Sequence, residues 1–384
     1  MTNININQPE LRVKITGISW AVLPAERPRS AGKNARLDVH GKNGSVRIAR
    51  ITAGGLEGFG WCAAPKEQAE LLIGLSLNEM FNSGGMLKKE YLRFEFPILD
   101  LAGKLLQKPV YRLAAKAPDS LPEQFSAPVY DTSIYFDELH IEDDKEAVDF
   151  ICSEVDYGLR QSHKNFKIKI GRCAMWMEHE AGMRRDIDIV RAIRKLTGPD
   201  AKLMVDANNG YNLSLTKRFL EETKEADIYW IEEPFHEDDA QFLNLRAWKK
   251  DKGITTYLAD GEGYACPAIV NWAKKGIVDV LQYDLRDYGF FNWIALGEDL
   301  ASYDVLCAPH NYGGFYGNFA QAHIAPAIER FCIGEYDAMT ADGVDTSGYT
   351  IKDGRLYVPE TAGFGLIFDS SVFESYTAQN GWKI

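Results

Sequence analysis

The 384-residue sequence predicts an α/β protein: a (β/α)8-type (TIM) barrel with an N-terminal α+β capping domain that the C-terminal tail completes. Three observations lead there. Eight short runs rich in Val, Ile, Leu and Tyr recur between residues 128 and 337, separated by roughly 20 to 40 residues with room for a helix, the alternation that a parallel sheet with crossovers demands. The chain before residue 125 lacks that alternation. Ionisable residues stand at the ends of seven consecutive runs, and a parallel barrel gathers all such ends on one face.

Taken in order, residues 11–61 read as strand, loop and strand: LRVKITGISWAVL, a Pro-, Arg- and Gly-containing stretch with Arg27, Arg29 and Arg36, then VRIARITAGGLEGFGW. From Pro65 to about Leu113 the apolar spacing turns helical, in KEQAELLIGLSLNEMF and FPILDLAGKLLQKPVYRL. KAPDSLPEQFSAPV marks a boundary. The expected division is therefore 1–125 capping domain, 126–350 barrel and 351–384 a segment returning to the cap through TIKDGRLYVPETAGFGLIFD. The eight barrel strands are PVYDTSIYF, FKIKIG, KLMVDAN, IYWIEEP, TTYLADGE, VDVLQYD, DVLCAPH and RFCIGEYD.

Composition narrows the function. Apolar residues make up 46% and charged residues 26%, a globular balance. A formal charge of -12 opposes a nucleic-acid backbone or an anionic membrane as the main partner, and no apolar run approaches the length of a membrane span. The six cysteines are scattered without a CxxC pair and the N-terminus lacks a signal-peptide pattern, so reduced thiols in the cytoplasm are expected. A small-molecule substrate is the expected partner, with self-association into a homo-oligomer.

The strand ends carry the chemistry. Lys167 and Lys169 lie two apart on strand two, so both project into the barrel. Strand three ends in Asp206, strand four in Glu232 and Glu233, strand five in Asp260 and Glu262, strand six in Asp284, strand seven in His310 and strand eight in Glu335. Any one is an ordinary polar residue where a strand meets a loop; seven at a spacing of about one βα unit imply a shared pocket. Asp206, Glu232 and Glu262 on adjacent strands would repel by about 4 kcal/mol per pair at 4 Å and an effective dielectric of about 20, a conflict that a divalent cation removes. Hard oxygen donors favour Mg2+, with Mn2+ as the alternative, over Zn2+. Alternation sends Glu232 and Glu233 to opposite faces, so only one of them can ligate, and Asp260 competes with Glu262 for the third position. Two ammonium groups about 6 Å apart repel by about 3 kcal/mol, which would let one lysine act as a base near neutral pH. Asp284 beside His310 would orient the imidazole and raise its basicity, placing a second base opposite Lys169. His323, in QAHIAPAI, reads as packing or support.

A base cannot remove the proton beside a carboxylate unless the charge of the enediolate is held, which is work for a metal and for electrophiles such as Lys167 and a protonated Glu335. Asn208 is placed to bind a substrate hydroxyl.

These residues resemble the enolase superfamily and, within it, the mandelate racemase subgroup. The likeness rests on KIKIG, VDANNGY, WIEEPF, LADGEGY, DVLQYD and APHNYGG, and it extends to the capping helix FPILDLAGKLLQKPVYRL and the closing segment VPETAGFGLIFD. The resemblance implies Glu232 rather than Glu233, and Glu262 rather than Asp260, as ligands. It implies Mg2+-dependent abstraction of the proton next to a carboxylate, followed by β-elimination of water from an acid sugar, an aldonate or aldarate, to a 2-keto-3-deoxy acid. A racemase, epimerase or cycloisomerase using the same enediolate is the alternative. Arg27, Arg29 and Arg36 would suit such an anion. A muconate-lactonizing type of site would carry a Lys in place of Asp284, and an amidohydrolase would show an HxH pair after strand one, where VYDTSIYFDE has none. A non-catalytic sugar-acid binding protein would have no need of two opposed bases. The chain departs from the family pattern after strand six, where Tyr283 stands for the usual Pro and Gly289 for a glycine pair.

Overall fold

In the computed structural model, which describes residue 2 and residues 4–384, the chain first builds an antiparallel sheet. Its strands β1 (Ile15–Ala31), β2 (Gly41–Ala53) and β3 (Leu56–Trp61) pair in chain order. Ile18, Ala21, Leu23, Ile48 and Ile51 are buried at no more than 1% exposure, and the helix Glu95–Leu105 lies across β3. Gly58 and Gly60 permit that approach, since a Cβ there would meet the Pro97 carbonyl oxygen at 2.3 Å and the Pro97 nitrogen at 2.4 Å.

The barrel follows, in the predicted places: β4 (Ser126–Ile134), β5 (Asn165–Lys169), β6 (Leu203–Asp206), β7 (Trp230–Glu232), β8 (Tyr257–Asp260), β9 (Val280–Leu281), β10 (Leu306–Cys307) and β11 (Gly334–Tyr336). Successive strands from β4 to β10 pair in parallel, β11 pairs with β4, and a parallel bridge from Cys307 to Phe331 closes the ring. Because side chains alternate, Phe166, Ile168, Val205, Ile231 and Leu258 face the surrounding helices while Tyr130, Met204, Trp230, Ala259, Val280, Ala308 and Ile333 fill the interior. The helix His179–Thr197 shows how the outer ring forms. Met183, Ile187, Val190 and Ile193 recur at helical spacing and are buried, Glu178 caps the first turn through the Glu180 and Ala181 N–H groups, and Gly198 at φ 76° ends it.

The tail joins both units. Thr340–Ala341 pairs with β1 before residue 350 is reached, and Trp382–Lys383 pairs with β1 again, stacking Trp382 on Trp20. The hairpin Thr350–Tyr357, expected to return to the cap, lies antiparallel along β4 instead. The reason is an open edge: β5 begins pairing at Tyr130, so Ser126–Pro128 have strand hydrogen bonds to offer, and Arg355–Tyr357 take them. Buried carboxylates bind the cap to both tail and barrel: Asp100 accepts from the Phe59 N–H and from the Phe364 N–H of the tail, and Glu95 accepts from those of Phe290 and Phe291 in the barrel. Among the described residues no helix is long and apolar enough to cross a membrane.

Candidate active site

Parallel pairing sets Lys169, Asp206 and Glu232 side by side across β5, β6 and β7, with Lys167, Met204 and Trp230 one layer below. Both lysines are buried, and neither is alone. Lys167 donates to Glu232 Oε1 at 2.8 Å and lies 3.0 Å from Glu335 Oε1, while Lys169 donates to Asp206 Oδ2. The expected mutual lowering of the two lysines is therefore outweighed. Burial works against each ammonium, but Glu232, Glu335 and Asp206 hold Lys167 well above its ordinary range, and Asp206 raises Lys169 despite the repulsion of Lys167.

On the other side, Asp284 and His310 form a parallel bridge, and the imidazole Nδ1 meets Asp284 Oδ1 at 2.6 Å. His310 Nε2 faces Glu262 Oε2 at 2.8 Å and Glu335 Oε2 at 3.5 Å. Burial opposes its charge, yet Glu262 and Glu335 with the Asp284 hydrogen bond raise its pKa well above the usual histidine value. Glu335, expected as a neutral electrophile, is ionised. Burial pushes its carboxyl upward, but Lys167, His310 and the hydrogen bond from the Asn311 N–H hold it down to about 2.

Two further differences come from local backbone. Glu233 does not alternate away: it adopts φ 41°, which breaks the pleat and returns its carboxylate to the cluster, where Asn208 Nδ2 donates to Oε2 at 3.2 Å. Burial, then Glu262 and Asp206, push Glu233 up to about 9. Asn208, also left-handed at φ 41°, bridges Glu233 and, at 3.5 Å, Glu262. Asp260 is buried, and its Oδ1 accepts from the Gly261 N–H.

The arginines expected to greet an anion are engaged elsewhere. Arg27 makes a two-pronged pair with Asp337 at 3.0 and 2.7 Å, Arg29 pairs with Glu154 at 2.5 Å, and Arg36 is exposed. Their loop still reaches the site. Ala35 seats its methyl against Gly171 and Gly210, where a Cβ would come within 2.9 and 2.5 Å of it. His40, which no sequence motif signals, sits with its ring 5.1 Å from Tyr135 and 5.2 Å from Tyr312, and Lys169 stands 5.5 Å from the Tyr135 ring. Tyr283 stacks on Tyr288 at 4.4 Å, filling the stretch where the family pattern is broken. His323 is a packing residue: Nδ1 accepts from the Tyr111 N–H and Nε2 meets the Tyr349 hydroxyl.

Among the described residues, Glu232, Glu262 and His310 bring ligand atoms within 4.8 Å of one another, the spacing of a cation site. Asp206, expected beside Glu232 and Glu262, is not in that group; its Oδ2 pairs with Lys169 and Lys167. The donor chemistry fits a hard divalent ion. Asn208 Oδ1 is buried without a hydrogen-bond partner, and Glu262 Oε2 faces His310 out of hydrogen-bonding line.

Comparison with known proteins agrees with this geometry. The family model described as enolase C-terminal domain-like matches residues 152–372. Arabinonate dehydratase of Saccharolobus solfataricus is 24% identical over 284 residues, 73% of this chain and 70% of that one. Galacturonate dehydratase from Geobacillus sp., solved with D-galacturonate and 5-keto-4-deoxy-D-galacturonate, is 42% identical, covers 97% of this chain and 99% of that one, and superposes with a TM-score of 0.93. A variant of galacturonate dehydratase from Geobacillus sp., complexed with Mg, gives 0.96 at 42% identity over 100% of this chain and 99% of its own. With that family matched over more than half of its length, this chain belongs to the enolase superfamily and has its mandelate-racemase/muconate-lactonizing fold.

Proposed function

We propose that the chain is a Mg2+-dependent sugar-acid dehydratase, a hydro-lyase that removes the proton next to the substrate carboxylate and expels the neighbouring hydroxyl as water. One observation carries this reading: Lys169 and the Asp284–His310 pair enter a single buried carboxylate cluster from different strands. Asp206, Glu232 and Glu262 would hold the cation. His310 is assigned to proton transfer instead, because its Nδ1 is hydrogen-bonded to Asp284 in the arrangement of an acid–base pair. What Mg2+ supplies when bound is charge for the carboxylates and Lewis acidity towards the substrate carboxylate.

The remaining steps belong to side chains. Lys169 is basic once its pairing with Asp206 is relieved, since Lys167 then repels its charge, and it takes the α-proton. Lys167 offers an ammonium to the oxygen on which charge develops. His310, protonated beforehand, gives its proton to the departing β-hydroxyl, so one water leaves and the enol product rearranges to a ketone. Glu335, being ionised, keeps Lys167 and His310 charged.

Within sugar acids we infer a hexuronate rather than the aldonate or aldarate first expected. Near-complete coverage at 42% identity with an enzyme solved with D-galacturonate and 5-keto-4-deoxy-D-galacturonate supports it. The test incubates the protein with Mg2+ and D-galacturonate in D2O. Loss of water with solvent deuterium in the product is expected. Exchange without water loss would move the assignment to an epimerase, and neither would remove it. The free thiols support a reducing compartment such as the cytoplasm. Exposed Leu37, Val39, Met175 and Tyr264, which follow strand ends or lie in the cap loop, support a homo-oligomer; a monomer mass by light scattering would exclude one.

A further inference from the structure

Glu232 has more hydrogen-bond donors than a metal ligand needs, and they are unevenly placed. Its Oε2 accepts from Gln282 Nε2 at 2.9 Å and from Trp230 Nε1 at 3.2 Å, whereas Oε1 accepts from Lys167 at 2.8 Å. All four residues are at most 1% exposed. A carboxylate oxygen offers two lone-pair directions, so the two N–H donors fill Oε2 and leave one direction open on Oε1. Gln282 directly follows β9 and Trp230 lies on β7, so the clamp draws on two strands with β8 between them. The amide has no other hydrogen bond from its side chain, its Oε1 being buried and unpartnered. Its orientation is set by charge, because turning the amide over would press its oxygen against Glu232.

We propose that Trp230 and Gln282 make Glu232 a one-oxygen ligand and thereby set the preference of the site for a small six-coordinate cation over Ca2+. The inference rests on the reading of Glu232 as a metal ligand. Mg2+ demands near-octahedral geometry and gains nothing from a chelating carboxylate, whereas Ca2+ accepts roughly six to eight oxygens and takes carboxylates through both. Holding Oε2 away from the ion therefore penalises Ca2+ and preorganises the site for Mg2+ or Mn2+. Both are positioning residues that act through Glu232.

The test is calorimetric titration of metal-stripped protein with MgCl2 and, separately, CaCl2. The proteins are the wild type, Gln282→Met, Trp230→Phe, Glu232→Gln and the double variant Gln282→Met/Glu232→Gln, each checked for folding by its thermal melt. Gln282→Met and Trp230→Phe are expected to weaken Mg2+ by about tenfold while weakening Ca2+ less, so that the Mg2+/Ca2+ preference narrows. In the Glu232→Gln background the Gln282 substitution should change neither affinity further, an outcome that a general loosening of the barrel would not produce. Folded single variants with the wild-type Mg2+/Ca2+ ratio overturn the proposal. Should one variant fail to fold, the other decides. A wild type that binds no Mg2+, or a Glu232→Gln variant that binds it normally, would remove the metal reading itself, and this inference with it.

Discussion

Two buried charged clusters lie side by side at the barrel mouth and are built on opposite plans. In the first, Arg172 is fully buried and its guanidinium grips Glu138 through two bonds of 2.6 and 3.1 Å, Asp186 at 2.7 Å and the Lys169 carbonyl at 3.1 Å. The remaining Asp186 oxygen accepts from the Gly171 and Arg172 N–H groups and the Tyr211 hydroxyl. In the second, Lys167, Lys169 and His310 face a larger set of carboxylates, Asp206, Glu232, Glu262, Asp284 and Glu335, and buried polar oxygens are left over. The first cluster is finished without help. The second has surplus negative charge and is completed by a cation, which is how a site differs from a strut.

The largest expected effect breaks the second cluster alone. Lys169→Ala combined with His310→Asn should lower α-hydrogen exchange with D2O by at least about 10³-fold. NMR of the substrate measures it, and unchanged exchange would refute both proton-transfer assignments. Breaking the first cluster should act on stability. Arg172→Met leaves Glu138 and Asp186 buried without their cation, and a loss of about 3–5 kcal/mol is expected in denaturant titration.

Smaller effects sharpen the contrast. Glu232→Gln should weaken Mg2+ more than Glu233→Gln, and Asp206→Asn more than His310→Asn, each by roughly tenfold in calorimetry. The reverse order in the second pair would make His310 a ligand and return Asp206 to a lysine partner. The smallest effect concerns His323, more deeply buried than His310 and ringed by neutral groups. Burial lowers it to about 3, and its Nδ1 accepts from the Tyr111 N–H. The unfolded chain binds a proton below about pH 6.5 that the folded chain refuses, so this group's stability contribution is lost as pH falls from there towards 3. His323→Gln should remove up to about 1.4 kcal/mol per pH unit from the acid slope of stability, read from denaturant midpoints at several pH values.

Much of this was legible in the chain before folding. The eight strands, the inward pair Lys167 and Lys169 and the Asp284–His310 partnership follow from alternation and βα spacing, which parallel pairing converts directly into neighbours. What escaped has a common cause. Glu233 required a left-handed residue after β7, Glu335 required the charges of Lys167 and His310 around it, and Arg27 required a distant Asp337. Trp230 and Gln282 gave no signal because a neutral side chain within a strand reads as core.

The linear chain by itself determined which residue types face one pocket, because a period of two along a strand and one βα unit between strands leave little freedom once the barrel closes. Only the tertiary structure decided their charge states and partners. Protonation and ligation are set by distances of a few ångströms between residues far apart in sequence, in a medium where each such distance is worth several kcal/mol.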